Sequence, residues 1–261
     1  MCKKLLWYLI ISTNFFLSEI IYSQQSQNVD LIGYSNISGR VTGVTVNGDY
    51  AYVTEFVTGL RIIDVSNPAA PIEAGLFDTG VGQPLSIFVS GSFAYVVDST
   101  FGLRIIDVSE PESPIQVGNF NTIFPLDVFV RGNFAYLTGG DLGNASLHVI
   151  DVSNPADPIE AGHLNSGTEP GRLFVSGNYA YVVEEEYNPG IHIINVSNPA
   201  MPDSTGFLDL AGEGYGIFVS EDFAFVANRS SGLRTIDVSN PEEPVEVGYF
   251  DTGGDAVGVF V

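Results

Sequence analysis

Leu60-Arg61-Ile62-Ile63-Asp64-Val65-Ser66-Asn67-Pro68-Ala69-Ala70-Pro71 is written into this chain five times with small variations, each copy preceded by a short apolar strand and Ala-Tyr-Val or a close variant of it. The copies anchor at Asp64, Asp107, Asp151, Asn195 and Asp237, at periods of 43, 44, 44 and 42 residues. Repeats of that length correspond to one four-stranded blade of a β-propeller. The second copy shows the parse most plainly: strand A over Ser86–Val89, strand B over Phe93–Val97, strand C over Leu103–Val108 and strand D over Pro114–Phe120. These runs are rich in Val, Ile, Phe and Tyr, with Gly, Ser, Asn and Pro between them. No helical periodicity of useful length interrupts them, so the expected fold class is all-β.

The connections carry their own chemistry. The A–B turns read Asn47-Gly48, Ser90-Gly91, Arg131-Gly132 and Ser176-Gly177, where a tight hairpin demands a positive φ that glycine adopts without strain. The fifth copy has Ser220-Glu221-Asp222 instead, which predicts a looser turn with Asp222 in the left-handed position. The C–D turns read Ser-Asn-Pro-x-x-Pro, with Glu110 replacing Asn in the second copy. Here a side chain caps its own backbone and proline sets φ. Asp64 and its equivalents, beside a turn in every copy, read as backbone hydrogen-bond acceptors rather than catalytic acids.

Antiparallel strands put the A–B and C–D turns on one face and the B–C and D–A loops on the other. The first face hardly varies between copies. The second does, most in the B–C loops 54–59, 98–102, 139–146, 184–190 and 228–232, which marks it as the expected binding face. At the two ends, Val29–Tyr34 matches a strand D and Val257–Val261 a strand A. Together they imply a sixth, composite blade and a chain that reads as part of a longer, six-bladed polypeptide.

Lys3 and Lys4, the apolar stretch Leu5–Ile11 and the small and polar residues near Ser23 form a signal peptide over residues 1–23, with the propeller over 24–261. The stretch is too short and too interrupted to span a membrane. Cys2, the only cysteine, would leave with it. Loss of Lys3, Lys4 and Glu19 leaves 7 arginines, no lysine and 30 acidic residues, a net charge of −23. That balance disfavours nucleic acid and anionic lipid, which are bound through clustered Lys and Arg.

The LRIIDVSNP run and its four counterparts closely resemble the LVIVD repeat family of secreted and cell-surface bacterial β-propellers, over roughly residues 29 to 261. The resemblance implies an exported module, often joined to an anchoring or sorting module, and transfers no catalytic residues. Localisation is therefore expected at the cell surface, in the periplasm or outside the cell.

Candidate sites come from departures between repeats. Asp127 and Arg172 alone stand out among the strand A entrances, which read Gly43, Ser86, Asp127, Arg172 and Gly216, and are expected to meet at the channel mouth on the variable face. Phe124, Tyr187 and Tyr215, with Phe56 and Phe101, fall on or near that face and suit stacking on sugar rings or anchoring a protein. Glu184, Glu185 and Glu186 with Asp141 supply oxygens of the kind Ca2+ takes. Consecutive residues on a strand alternate faces, however, so a solvated loop is the better expectation for the three glutamates. Arg61, Arg104, His148, His192 and Arg234 occupy one repeated position and predict a structural pairing with an acid, not a metal-binding histidine pair. No Gly-x-Ser-x-Gly elbow, phosphate loop or dinucleotide fingerprint occurs. The leading expectation is a module binding a protein or glycan without a cofactor. The alternative is a glycosidase, lyase or lactonase with carboxylates and Ca2+ at the channel mouth.

Overall fold

The computed structural model describes residues 31–122, 124–140, 146–165, 170–184 and 189–261. Five four-stranded antiparallel meanders follow one another along the chain. Blade 1 holds β1 (Val41–Asn47), β2 (Tyr50–Glu55), β3 (Gly59–Asp64) and β4 (Ile72–Asp78), and blade 2 holds β5 (Pro84–Ser90), β6 (Phe93–Asp98), β7 (Gly102–Asp107) and β8 (Ile115–Phe120). Blade 3 holds β9 (Pro125–Arg131), β10 (Phe134–Gly139), β11 (Ser146–Asp151) and β12 (Ile159–Asn165). Blade 4 holds β13 (Pro170–Ser176), β14 (Tyr179–Glu184), β15 (Gly190–Asn195) and β16 (Asp203–Asp209). Blade 5 holds β17 (Gly216–Ser220), β18 (Phe223–Ala227), β19 (Leu233–Asp237) and β20 (Val245–Phe250).

Gly48, Gly91, Gly132 and Gly177 take φ between 56° and 59° in the A–B hairpins. In blade 5, Glu221 rather than Asp222 takes the positive φ, at 53°. The hairpin is as tight as the others, since Ser220 faces Phe223 just as Ser90 faces Phe93. The expected looser turn is therefore not formed: the flanking strand register dictates the turn, and Glu221 bears the strain that glycine avoids elsewhere. In the C–D turns, Asp64, Asp107, Asp151, Asn195 and Asp237 each accept the backbone N–H two residues on, at 2.8–2.9 Å.

The middle strands are buried on both faces, which is why they read as unbroken apolar runs. The core lies between blades. Tyr52, Leu60 and Ile62 of blade 1 pack on Ile87, Ala94, Val96 and Ile106 of blade 2, and the pattern recurs at each following interface. In every blade the outer pair carries a register shift at one place, between Ile62 and Ile63 in blade 1 and between Ile105 and Ile106 in blade 2. Beside this bulge sits a glycine against the next blade's turn. A β-carbon on Gly75 would lie 2.0 Å from the Pro111 carbonyl oxygen, and on Gly118 1.9 Å from that of Pro155. Gly162 and Gly206 meet Pro199 and Pro241 in the same way.

Among the described residues, neither 31–34 nor 257–261 is paired as a ladder strand. Both nevertheless follow the repeat. Gly33 lies on the Pro68 carbonyl, as the other strand D glycines lie on theirs. Phe260 extends a row of rings, Phe88, Phe129, Phe174, Phe218 and Phe260, spaced 4.7–5.0 Å between centroids. The outer side of blade 5 is bare: Phe250 is 64% exposed and Gly248 meets nothing. Val44 of blade 1 is likewise 47% exposed where its blade 2 equivalent, Ile87, is 7%.

Candidate functional site at the channel mouth

The innermost strands β1, β5, β9, β13 and β17 are the edge strands of their sheets and surround a central channel. A cavity of about 260 Å3 opens at their N-terminal ends, lined by Thr42, Ser86, Asp127, Arg172, Tyr215 and Gly258 among others. Each strand enters from a D–A loop, so this mouth belongs to the variable face.

Asp127 is the hub of the mouth. Its side chain is 12% exposed, and its two oxygens accept from both neighbouring blades: Ser86 Oγ and the Arg172 guanidinium (3.4 Å) on Oδ1, and the Leu173 N–H (3.0 Å) on Oδ2. Hydrogen bonds to an ionised acceptor are about twice as strong as neutral ones, so this carboxylate ties blades 2, 3 and 4 together. Arg172, 29% exposed, contributes a single long contact to it. The two residues expected at the mouth do therefore meet there.

The aromatic candidates divide. Tyr215 lines the mouth with the Arg229 guanidinium stacked on its ring at 4.6 Å, and Arg229 also pairs with Glu213 at 2.9 Å. Phe56 lies under Arg40 and Phe101 under Arg104. Phe124 stands 60% exposed at φ 46°, a left-handed conformation that costs a bulky residue on the order of 1–3 kcal/mol. Tyr187, Glu185, Glu186 and Asp141 lie outside the described residues.

Glu184 corrects the loop expectation. It ends β14, is 1% exposed, and its carboxylate lies 3.5 Å from His192. Sequence reasoning missed that Glu55, Asp98 and Glu184 share one position at the end of strand B, and that each faces the basic residue two places into strand C. A strand D side chain completes the set. Arg61 binds Glu55 and Glu73, both at 2.6 Å, Arg104 binds Gln116 (2.9 Å), His148 binds Glu160 (2.7 Å), His192 binds Ser204 (2.8 Å) and Arg234 binds Glu246 (2.9 Å). Blade 5 has Ala227 in place of the strand B acid, and the Arg234 Nε is buried without a partner. Among the described residues, no group of three His, Cys, Asp or Glu side chains is arranged to hold a metal ion.

Radial meanders around a channel, with cores between consecutive sheets, define a β-propeller. The chain belongs to the LVIVD repeat family, whose model matches residues 38–79, 81–122, 126–166, 170–207 and 211–252. No curated protein matches it by sequence. Among solved structures it is similar to a putative 6-phosphogluconolactonase from Bacteroides fragilis, at TM-score 0.67 and 12% identity over 82% of this chain and 71% of that one. It is also similar to the periplasmic gluconolactonase of Pseudomonas aeruginosa, at TM-score 0.64 and 17% identity over 80% and 71%. A chain of a nidogen/laminin complex matches at TM-score 0.63 and 12% identity over 84% and 83%. At such identities the likeness is one of fold.

Proposed function

We propose that this chain is an exported binding module that engages a protein or glycan through its variable face. The observation that carries the reading is the use made of Asp127: it is the one carboxylate at the strand A entrances, and both its oxygens accept hydrogen bonds that join blades. Side chains suited to contact stand instead on the loops of the same face, where Val57 is 71% exposed, Val81 81% and Phe124 60%. Strain held in an exposed aromatic is itself a mark of a functional position.

Glycan arrays and purified extracellular proteins, probed with the chain and with a Val57→Ser/Val81→Ser/Phe124→Ala variant, test this. Retained binding by the folded variant removes the loop face from the reading. The second reading, lactone hydrolysis, is favoured by two gluconolactonase-type structures among the similar folds. Opening of D-glucono-δ-lactone by the wild-type chain, abolished in Asp127→Asn, would replace the first reading with it.

A further inference from the structure

The channel mouth has two unlike halves. Following the blades in order, Ser86, Asp127 and Arg172 form one continuous arc, and Gly216, Gly258 and Gly43 line the other side. Thr42 and Tyr215 stand among these glycines. Edge strands carry N–H and C=O groups without ladder partners, so this half offers main-chain donors and acceptors beside the hydroxyls of Thr42 and Tyr215.

The polar arc is uneven in a second way. Asp127 already accepts three hydrogen bonds, whereas Arg172 has donors in hand. A guanidinium carries five N–H groups. Among the described residues, Arg172 uses one, at the long distance of 3.4 Å, and it has no second acid. Arg61, Arg104, Arg229 and Arg234 are each held by a carboxylate, a ring or both. The mouth thus presents a partly free cation beside a carboxylate that already accepts three hydrogen bonds, inside a chain whose net charge is −22.

Resting on the reading of this face as a binding surface, we infer that the channel mouth is a site for a small polyhydroxylated carboxylate, that is, a sugar acid. Its carboxylate takes the fork of Arg172, the geometry in which guanidinium binds two oxygens at once. Its hydroxyls take the main chain of the glycine half and the hydroxyls of Thr42 and Tyr215. The cavity of about 260 Å3 is slightly smaller than the roughly 300–1,000 Å3 of pockets for drug-sized ligands, which suits one sugar-sized molecule and not an oligomer.

Titration calorimetry with sodium gluconate and sodium glucuronate tests the proposal, with glucose lacking the carboxylate and acetate lacking the hydroxyls. Saturable binding of at least one sugar acid is expected, at least tenfold tighter than either control. It should weaken at least tenfold in Arg172→Gln, less in Arg172→Lys, and decline as salt is raised. Circular dichroism confirms that the variants fold. In the wild-type chain, amide NMR shifts should move at Gly43, Gly216 and Gly258, a readout that needs no variant. Absence of saturable binding, equal binding of glucose, indifference to Arg172→Gln, or shifts confined to other regions each overturns the site. Loop-face binding is read with macromolecular probes and this site with small ones, so either reading can fail alone.

Discussion

Gly118 and Gly248 occupy the same position of the repeat and differ in what faces them. A β-carbon at Gly118 would stand 1.9 Å from the Pro155 carbonyl oxygen, while at Gly248 it meets nothing within 4 Å. Neither glycine has a positive φ, so packing alone separates the two substitutions. An ordinary C···O contact is about 3.3 Å, so Gly118→Ala must part blades 2 and 3 by about 1.4 Å at that point. The obstacle is backbone and cannot turn aside. The interface it would open packs Tyr95, Val97, Leu103 and Ile105 against Val128, Val130, Ala135 and Ile150. Overpacking a filled core costs about 1–3 kcal/mol and occasionally more, and a backbone obstacle places this case near 3 kcal/mol. Gly248→Ala relieves the entropic cost of a strand glycine and gains about 0.5 kcal/mol. At about 2–4 °C per kcal/mol for a chain of this size, Gly118→Ala should melt about 6–12 °C below wild type and Gly248→Ala no lower than wild type. Scanning calorimetry on the three proteins measures this. A neutral Gly118→Ala, or a Gly248→Ala as damaging as Gly118→Ala, would refute the view that the glycine exists to admit the next blade's carbonyl.

Two further predictions concern charge. Glu55→Ala removes a buried partner of Arg61 and should cost about 2–3 kcal/mol, since the guanidinium keeps Glu73, whereas Glu73→Ala removes a partner that is 46% exposed and should cost about 0–1 kcal/mol. Urea unfolding of both variants checks the order. Asp64, Asp107, Asp151 and Asp237 have pKa values lowered by the hydroxyl and then the backbone N–H of the serine two residues on. A depressed folded pKa gives stability that is present above the unfolded value and is lost as pH falls through the folded one. The Tm should therefore drop below about pH 4. The loss should flatten when the four are changed to Asn, the residue already present at Asn195. An unchanged acid limb would show that these turns contribute nothing to it.

Strand order and blade boundaries were legible because the apolar runs and the Ser-Asn-Pro-x-x-Pro turns recur in register. Blade 2 was expected at Ser86–Val89, Phe93–Val97, Leu103–Val108 and Pro114–Phe120, and the observed strands shift those limits by two residues at most. The meeting of Asp127 with Arg172 was legible as two departures at one repeat position. Glu184 was not. Read beside Glu185 and Glu186 it looks like part of an acidic loop, and only alignment with Glu55 and Asp98 reveals a buried strand end facing a base. The bulge was equally hidden, because an unpaired Ala74, Val117 or Ala161 has no composition of its own. The glycine half of the mouth was passed over because glycine at a strand entrance signals nothing until the cavity is seen.

The glycine-to-carbonyl clasp between neighbours is made of main chain on one side and a missing side chain on the other. Neither element reads the loops of the opposite face, and the turn that supplies the carbonyl sits at the far end of each meander from those loops. Copies of the unit can therefore diverge in their B–C and D–A loops while the spacing of the ring stays the same. A lineage that duplicates this unit acquires a fresh recognition surface with every copy and does not have to relearn how the copies fit together.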